Sequence, residues 1–113
     1  MPYIHITTNT ALCEEKKAAL LEQIAPLIPI LPGKNRGNAM VQLDGGHFMA
    51  MGDPAQACAF CEIRLYKQSP APAKEKFAAS LTDLLAKELG VSPDHVYLNY
   101  MEMDHWGLSG GLI

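Results

Sequence analysis

Apolar residues first recur at every second position. Ile4 and Ile6 share one face of Tyr3-Ile4-His5-Ile6-Thr7-Thr8, with Tyr3, His5 and Thr7 on the other, which predicts a strand over residues 3–8. The period then lengthens to that of a helix. Thr8-Asn9-Thr10 offers an N-cap for a helix beginning near Ala11, Glu14 and Glu15 suit the positive end of its dipole, and Leu20, Ile24, Leu27 or Ile28, and Leu31 form the apolar stripe. Pro26 and Pro29 each lack an N–H and crowd the preceding turn, so a kink or an early end is expected near Ala25; Pro32-Gly33-Lys34 closes the segment. Residues 39–44 alternate again as a short strand, which Gly45-Gly46 breaks, and residues 47–54 read as a connection. The stretch 57–66 begins as a nearly continuous apolar run and ends in alternation, the pattern of a central strand covered on both faces at its start. Ser69-Pro70-Ala71-Pro72 opens a second helix with Phe77, Leu81, Leu84, Leu85 and Leu89 as its buried stripe and Gly90 as its stop; a turn at Ser92-Pro93-Asp94 leads to a fourth strand over 95–101.

The order is β-α-β twice, with strands beginning near 3 and 39 and then near 58 and 95, a regularity that suggests internal duplication. If each helix is a right-handed crossover between parallel strands, the two units join into one four-stranded sheet with both helices on one face, an α/β (α+β) fold. The opposite sheet face then needs a cover that so short a chain does not supply, and oligomerisation is the simplest one.

A length of 113 residues, 49% of them hydrophobic, matches a single domain, residues 1–113, with one modest core. A net charge of -3, with the basic residues scattered from Lys16 to Lys87 and no aromatic-interleaved patch, argues against nucleic acid as a partner. No apolar stretch approaches the ~20 residues of a membrane span and no signal peptide is evident, so the cytoplasm is the expected compartment. Cys13, Cys58 and Cys61 make an odd count that does not suggest a disulfide framework. The Cys58-Ala59-Phe60-Cys61 pair has no partners to complete a zinc site, and in an extended strand its two sulfurs diverge, so both are read as small buried hydrophobes. His5, His47, His95 and His105 share no ligand spacing and are expected at the surface or an interface.

Pro2 is the residue with unusual chemical potential. Removal of Met1 turns it into a free secondary amine at the end of a strand, a competent base once an apolar pocket or a nearby cation lowers its pKa from the usual value of roughly 8. Taken alone it is simply a proline near a terminus. It does not stand alone: Lys34 after Gly33, Met49-Ala50-Met51-Gly52 before the CxxC pair, and above all Ser92-Pro93-Asp94-His95-Val96-Tyr97-Leu98-Asn99-Tyr100 together resemble the macrophage migration inhibitory factor and tautomerase family, from Pro2 to about Asp104.

That resemblance implies two β-α-β units assembled as a homotrimer, and keto-enol tautomerisation of phenylpyruvate-like 2-oxo acids and of dopachrome analogues, with no cofactor and no metal. Pro2 is then the general base, Lys34 the receiver of the substrate carboxylate, the Tyr66 backbone a contact to it, and Tyr97 and Asn99 the wall and polar contact from a neighbouring subunit. Tyr3, where the cytokine has methionine, narrows or polarises the pocket mouth; Trp106 and Leu108 are candidates for the hydrophobic wall in a tail that departs from the family after Met103. For Lys34 the ordinary reading is a cation at a helix C-terminus; for Tyr97 and Asn99, an alternating strand face; for Trp106, subunit packing. Three other functions compete. One is a cytokine-like binding protein, secreted without a signal peptide and bound by a host receptor. Another is decarboxylation or dehalogenation of small acids with Arg36 or Arg64. The last is thiol exchange at Cys58 and Cys61. A non-catalytic ferredoxin-like module would instead pair its strands antiparallel.

Overall fold

The computed structural model describes residues 1–113. Four strands, β1 (Pro2–Thr8), β2 (Met40–Asp44), β3 (Ala59–Tyr66) and β4 (Val96–Met103), form one sheet in the order β2-β1-β3-β4. The β1/β2 and β3/β4 pairs are parallel, and an antiparallel seam between β1 and β3 joins the two units. Parallel pairing within each unit removes the ferredoxin-like alternative.

Alternation decides which side chains meet the helices. Along the seam Ile4 faces Ile63 and Ile6 faces Cys61, while Leu65 pairs with Pro2 at the end of the strand. Helix α1 (Glu14–Ile24) contributes Leu20 and Ile24, and helix α2 (Ala71–Leu89) contributes Phe77, Leu81, Leu85 and Leu89 to the same core on the same sheet face. Each such side chain supplies roughly 1.5–3 kcal/mol of transfer free energy, an upper figure because the unfolded chain is already partly collapsed. β3 is central as expected, but its second face, with Phe60 only half-buried, is not covered by this chain.

Proline chemistry shapes the first crossover. α1 stops at Ile24 and continues as a 3-10 turn over Ala25–Ile30 that holds Pro26 in its first turn, where a missing N–H costs least, and Pro29 in its interior. Pro32-Gly33 then occupies the centre of a reverse turn closed by Lys34 N–H to the Leu31 carbonyl at 3.1 Å, with Gly33 at φ 75°. α2 ends at Gly90 in the left-handed conformation.

Two expectations fail. α1 begins at Glu14 rather than near Ala11, and its N-cap residue is Cys13, whose side chain caps nothing. The candidate cap residues are engaged elsewhere. Thr8 Oγ1 donates to the Cys58 carbonyl at 2.7 Å, and Asn9 accepts from the Cys58 N–H at 2.9 Å while donating to the Gln56 carbonyl at 2.9 Å. These bonds stitch the end of β1 to the approach of β3. The tail is also ordered: β5 (Gly107–Leu108) and β6 (Gly111–Leu112) form a hairpin whose two-residue turn, Ser109 at φ 53° and Gly110 at φ 78°, has the positive φ values of a type I′ turn. Trp106 and Ile113 exchange backbone bonds at its base.

Candidate active site

Pro2 is buried at the N-terminal end of β1, in the sheet row of Leu65 and Glu102. In the chain with Met1 in place, the free amine is one residue outward. Burial, then the charge of Lys34 and a hydrogen bond to it, hold that amine below its ordinary pKa of 8.0. Lys34 is delivered by the Pro32-Gly33 turn, and its Nζ donates to the Tyr66 carbonyl at 3.0 Å. The cation therefore bridges the N-terminus and the end of β3. It is the carbonyl of Tyr66 that faces Lys34, a different contact from the one expected from sequence, which is a Tyr66 backbone amide on the substrate carboxylate.

A cavity of about 510 Å³ opens beside Met1, Pro2 and Tyr3, walled by Asn38, Met40 and the hairpin residues Trp106 and Leu108. The tail that diverges in sequence thus supplies an apolar wall next to Pro2. Lys34 is not among its lining residues but stands against the N-terminal amine. Tyr97 and Asn99 share the face of β4 away from the helices, in the rows of Phe60 and Glu62, toward the opposite end of the sheet from Pro2. Within one chain they are not brought to Pro2, and Tyr97 remains 57% exposed.

The profile of the Macrophage migration inhibitory factor (MIF) family matches residues 1–111. The chain belongs to the MIF family. It is similar to the macrophage migration inhibitory factor of Xenopus laevis, 25% identical over 105 residues that span 92% of this chain and 90% of that protein. Among solved structures, the Leishmania major protein named MIF2 superposes with a TM-score of 0.87 at 19% identity, covering 100% of this chain and 97% of that one. Pt0534, solved after inactivation by 2-oxo-3-pentynoate, superposes with a TM-score of 0.82 at 19% identity, covering 96% and 93%.

On this MIF-family sheet the face away from the helices carries a cluster that periodicity alone did not single out. His5 Nε2 lies 2.7 Å from Asp44 Oδ2 and His5 Nδ1 lies 3.1 Å from Glu62 Oε2, so both ring nitrogens meet carboxylates. The hydrogen bond from His5, followed by one from Gln42, holds the Asp44 carboxyl below its ordinary range. The signal was available in the alternation: positions 5, 44 and 62 fall on one face only once the pairing of β1, β2 and β3 is known. A second cavity of about 510 Å³ lies on this face, bounded by Tyr3, His5, Arg64, His105 and Trp106.

The competing chemistries fare unevenly. Cys58 and Cys61 are free and buried, and burial pushes the Cys61 thiol up to about 12, which withholds the thiolate that exchange requires. Arg36 is bound by Glu22 through two contacts of 3.1 Å, whereas Arg64 is exposed beside Tyr3, its guanidinium carbon 5.8 Å from the ring centroid.

Proposed function

We propose that this chain is a keto-enol tautomerase of phenylpyruvate-like 2-oxo acids, with the secondary amine of Pro2 as general base after Met1 is removed. The observation that carries the reading is the placement of Pro2, buried at the end of β1 and lining a cavity large enough for an aryl 2-oxo acid, with Lys34 close enough to the Met1 amine one residue outward to lower its pKa together with burial. A neutral amine there removes a proton from the carbon next to the substrate carbonyl, and the resulting ammonium returns a proton to the developing enolate oxygen. Lys34, oriented by the Tyr66 carbonyl, receives the substrate carboxylate and disfavours protonation of the base. Tyr3 and Trp106 flank the side chain of the substrate.

Tyr97 and Asn99 complete the site from a neighbouring subunit of a homotrimer. Support for such an assembly comes from the uncovered sheet face, where Met40 is 68%, Tyr97 57% and Met101 44% exposed, and from Phe48, which projects fully from its loop. That the structurally similar Pt0534 was inactivated by a 2-oxo acid also favours this substrate class.

The test compares phenylpyruvate tautomerisation by protein confirmed by mass to begin at Pro2 with that of Pro2→Gly and of chain retaining Met1. A loss of about 10²–10⁴-fold in both is expected. Equal, substantial rates overturn the assignment of the base, whereas no rate in the processed parent overturns the activity and leaves a binding function, such as the cytokine-like one, as the reading to pursue.

A further inference from the structure

The two cavities adjoin. Both are bounded by Tyr3, Met40, Trp106 and Gly107; one continues to Pro2, the other to Arg64. Arg64 sits directly across the seam from Tyr3 in the strand register. Its guanidinium lies over the Tyr3 ring, and the Tyr3 hydroxyl donates to Gln42 Oε1 at 2.7 Å, which fixes that ring in place. No carboxylate is within ion-pair distance of Arg64. The acidic groups on this face are engaged by His5, Asp44 at 2.7 Å and Glu62 at 3.1 Å. Together the adjoining cavities run from Pro2 and the terminal amine, with Lys34 beside that amine but outside the lining, across an apolar stretch of Tyr3, Met40 and Trp106, to Arg64, which forms no ion pair within the chain; Glu62 also lines this end, with its carboxylate turned to His5.

We propose that Arg64 is a specificity-determining residue that receives a second anionic group at the far end of the substrate, so that the preferred substrates are dianionic 2-oxo acids with a flat or apolar spacer. This rests on the reading that the 2-oxo acid end lies at Pro2 and Lys34. An arginine suits the role because its planar fork meets a carboxylate with two parallel hydrogen bonds, and a guanidinium backed by an aromatic ring loses little hydration in doing so. Tyr3 serves twice, as the platform for the spacer and as the support for the guanidinium.

The experiment compares kcat/KM for 4-carboxyphenylpyruvate and phenylpyruvate in the processed parent, Arg64→Gln and Arg64→Lys. The ratio of the two constants cancels any loss of folded protein. In Arg64→Gln the ratio is expected to fall about ten-fold or more, and Arg64→Lys, which keeps the charge but loses the planar fork and the stacking on Tyr3, recovers only part of the preference. A ratio unchanged by Arg64→Gln overturns the proposal. If the parent turns over neither compound, the tautomerase reading fails separately, and calorimetric titration with 4-carboxycinnamate and cinnamate decides the role of Arg64. Tighter binding of the dianion that disappears in Arg64→Gln supports the anion site, and equal binding in both proteins overturns it.

Discussion

Replacing Glu102 by glutamine tests how the end of the sheet that carries Pro2 is held. Glu102 lies on β4 in the row of Leu65 and Pro2, its side chain 17% exposed, and accepts from Lys74 Nζ and from the Ser69 N–H, each at 2.6 Å. Tyr100 adds a hydroxyl bond to the Lys74 carbonyl at 2.6 Å, and burial, with the Glu102 charge adding, pushes its phenol up to about 12, so it remains a donor. Hydrogen bonds to charged groups contribute about 1.5–3 kcal/mol each. Glu102→Gln preserves shape and one acceptor but removes the charge, and partial solvent screening reduces the loss to about 1–2 kcal/mol, a fall in Tm of roughly 4–10 °C.

The sign with pH follows from the direction of the shift. The Lys74 bond, then the Ser69 N–H, hold the Glu102 carboxyl below its ordinary 4.5. The carboxylate's contribution is therefore fully present above that ordinary value and lost as pH falls through the lowered one. Urea unfolding of parent and Glu102→Gln at fixed protein concentration should show the full gap from pH 7 to 5 and its closure toward pH 3. A gap that persists undiminished at low pH, or none at pH 7, refutes the reasoning.

Three further outcomes are expected. Lys34 helps hold the Met1 amine below its ordinary pKa, and on the proposed reading it acts in the same way on the Pro2 amine of the processed chain, so Lys34→Met raises that amine's pKa. On the proposed mechanism, in which the neutral amine is the active form, the acidic limb of the kcat/KM profile for phenylpyruvate then moves to higher pH, with KM increased about ten-fold or more. Gly45→Ala places a methyl 2.6 Å from Leu12 Cγ and 2.8 Å from the Thr10 carbonyl oxygen, a clash the backbone does not yield to easily, and should cost about 1–3 kcal/mol in urea unfolding. Titration with a thiol reagent should find Cys13 reactive in the native protein, and Cys58 and Cys61 reactive only after denaturation.

Much of the architecture was legible because it depends on local chemistry. The alternation around Ile4 and Ile6, the prolines that end α1 at Ile24, and Gly90 at the end of α2 each act within a few residues. What was not legible depends on partners distant in sequence. Thr8 and Asn9 have the side chains of helix caps, yet their bonds go to residues some fifty positions later. The same applies to the site: Lys34 could be named from its neighbours, but its orientation by the Tyr66 carbonyl and the meeting of Tyr3, Trp106 and Pro2 in one cavity required the folded chain. The terminal hairpin escaped notice because Ser109-Gly110 is a short turn signal between strands of two residues each.

The antiparallel seam has a consequence for how the molecule is made. β1 emerges first but is an inner strand; its β2 partners arrive nearly forty residues later, and Leu65, the partner of Pro2, more than sixty later. At a synthesis rate of 5–20 residues per second, the start of β1 waits roughly 2–7 s for its β2 partner and roughly 3–13 s for its β3 partner. The helix-borne half of each unit can collect local contacts meanwhile, but loop-closure entropy opposes the seam until β3 exists. The strand that holds the proposed base is thus among the earliest parts synthesised and the latest to find its place.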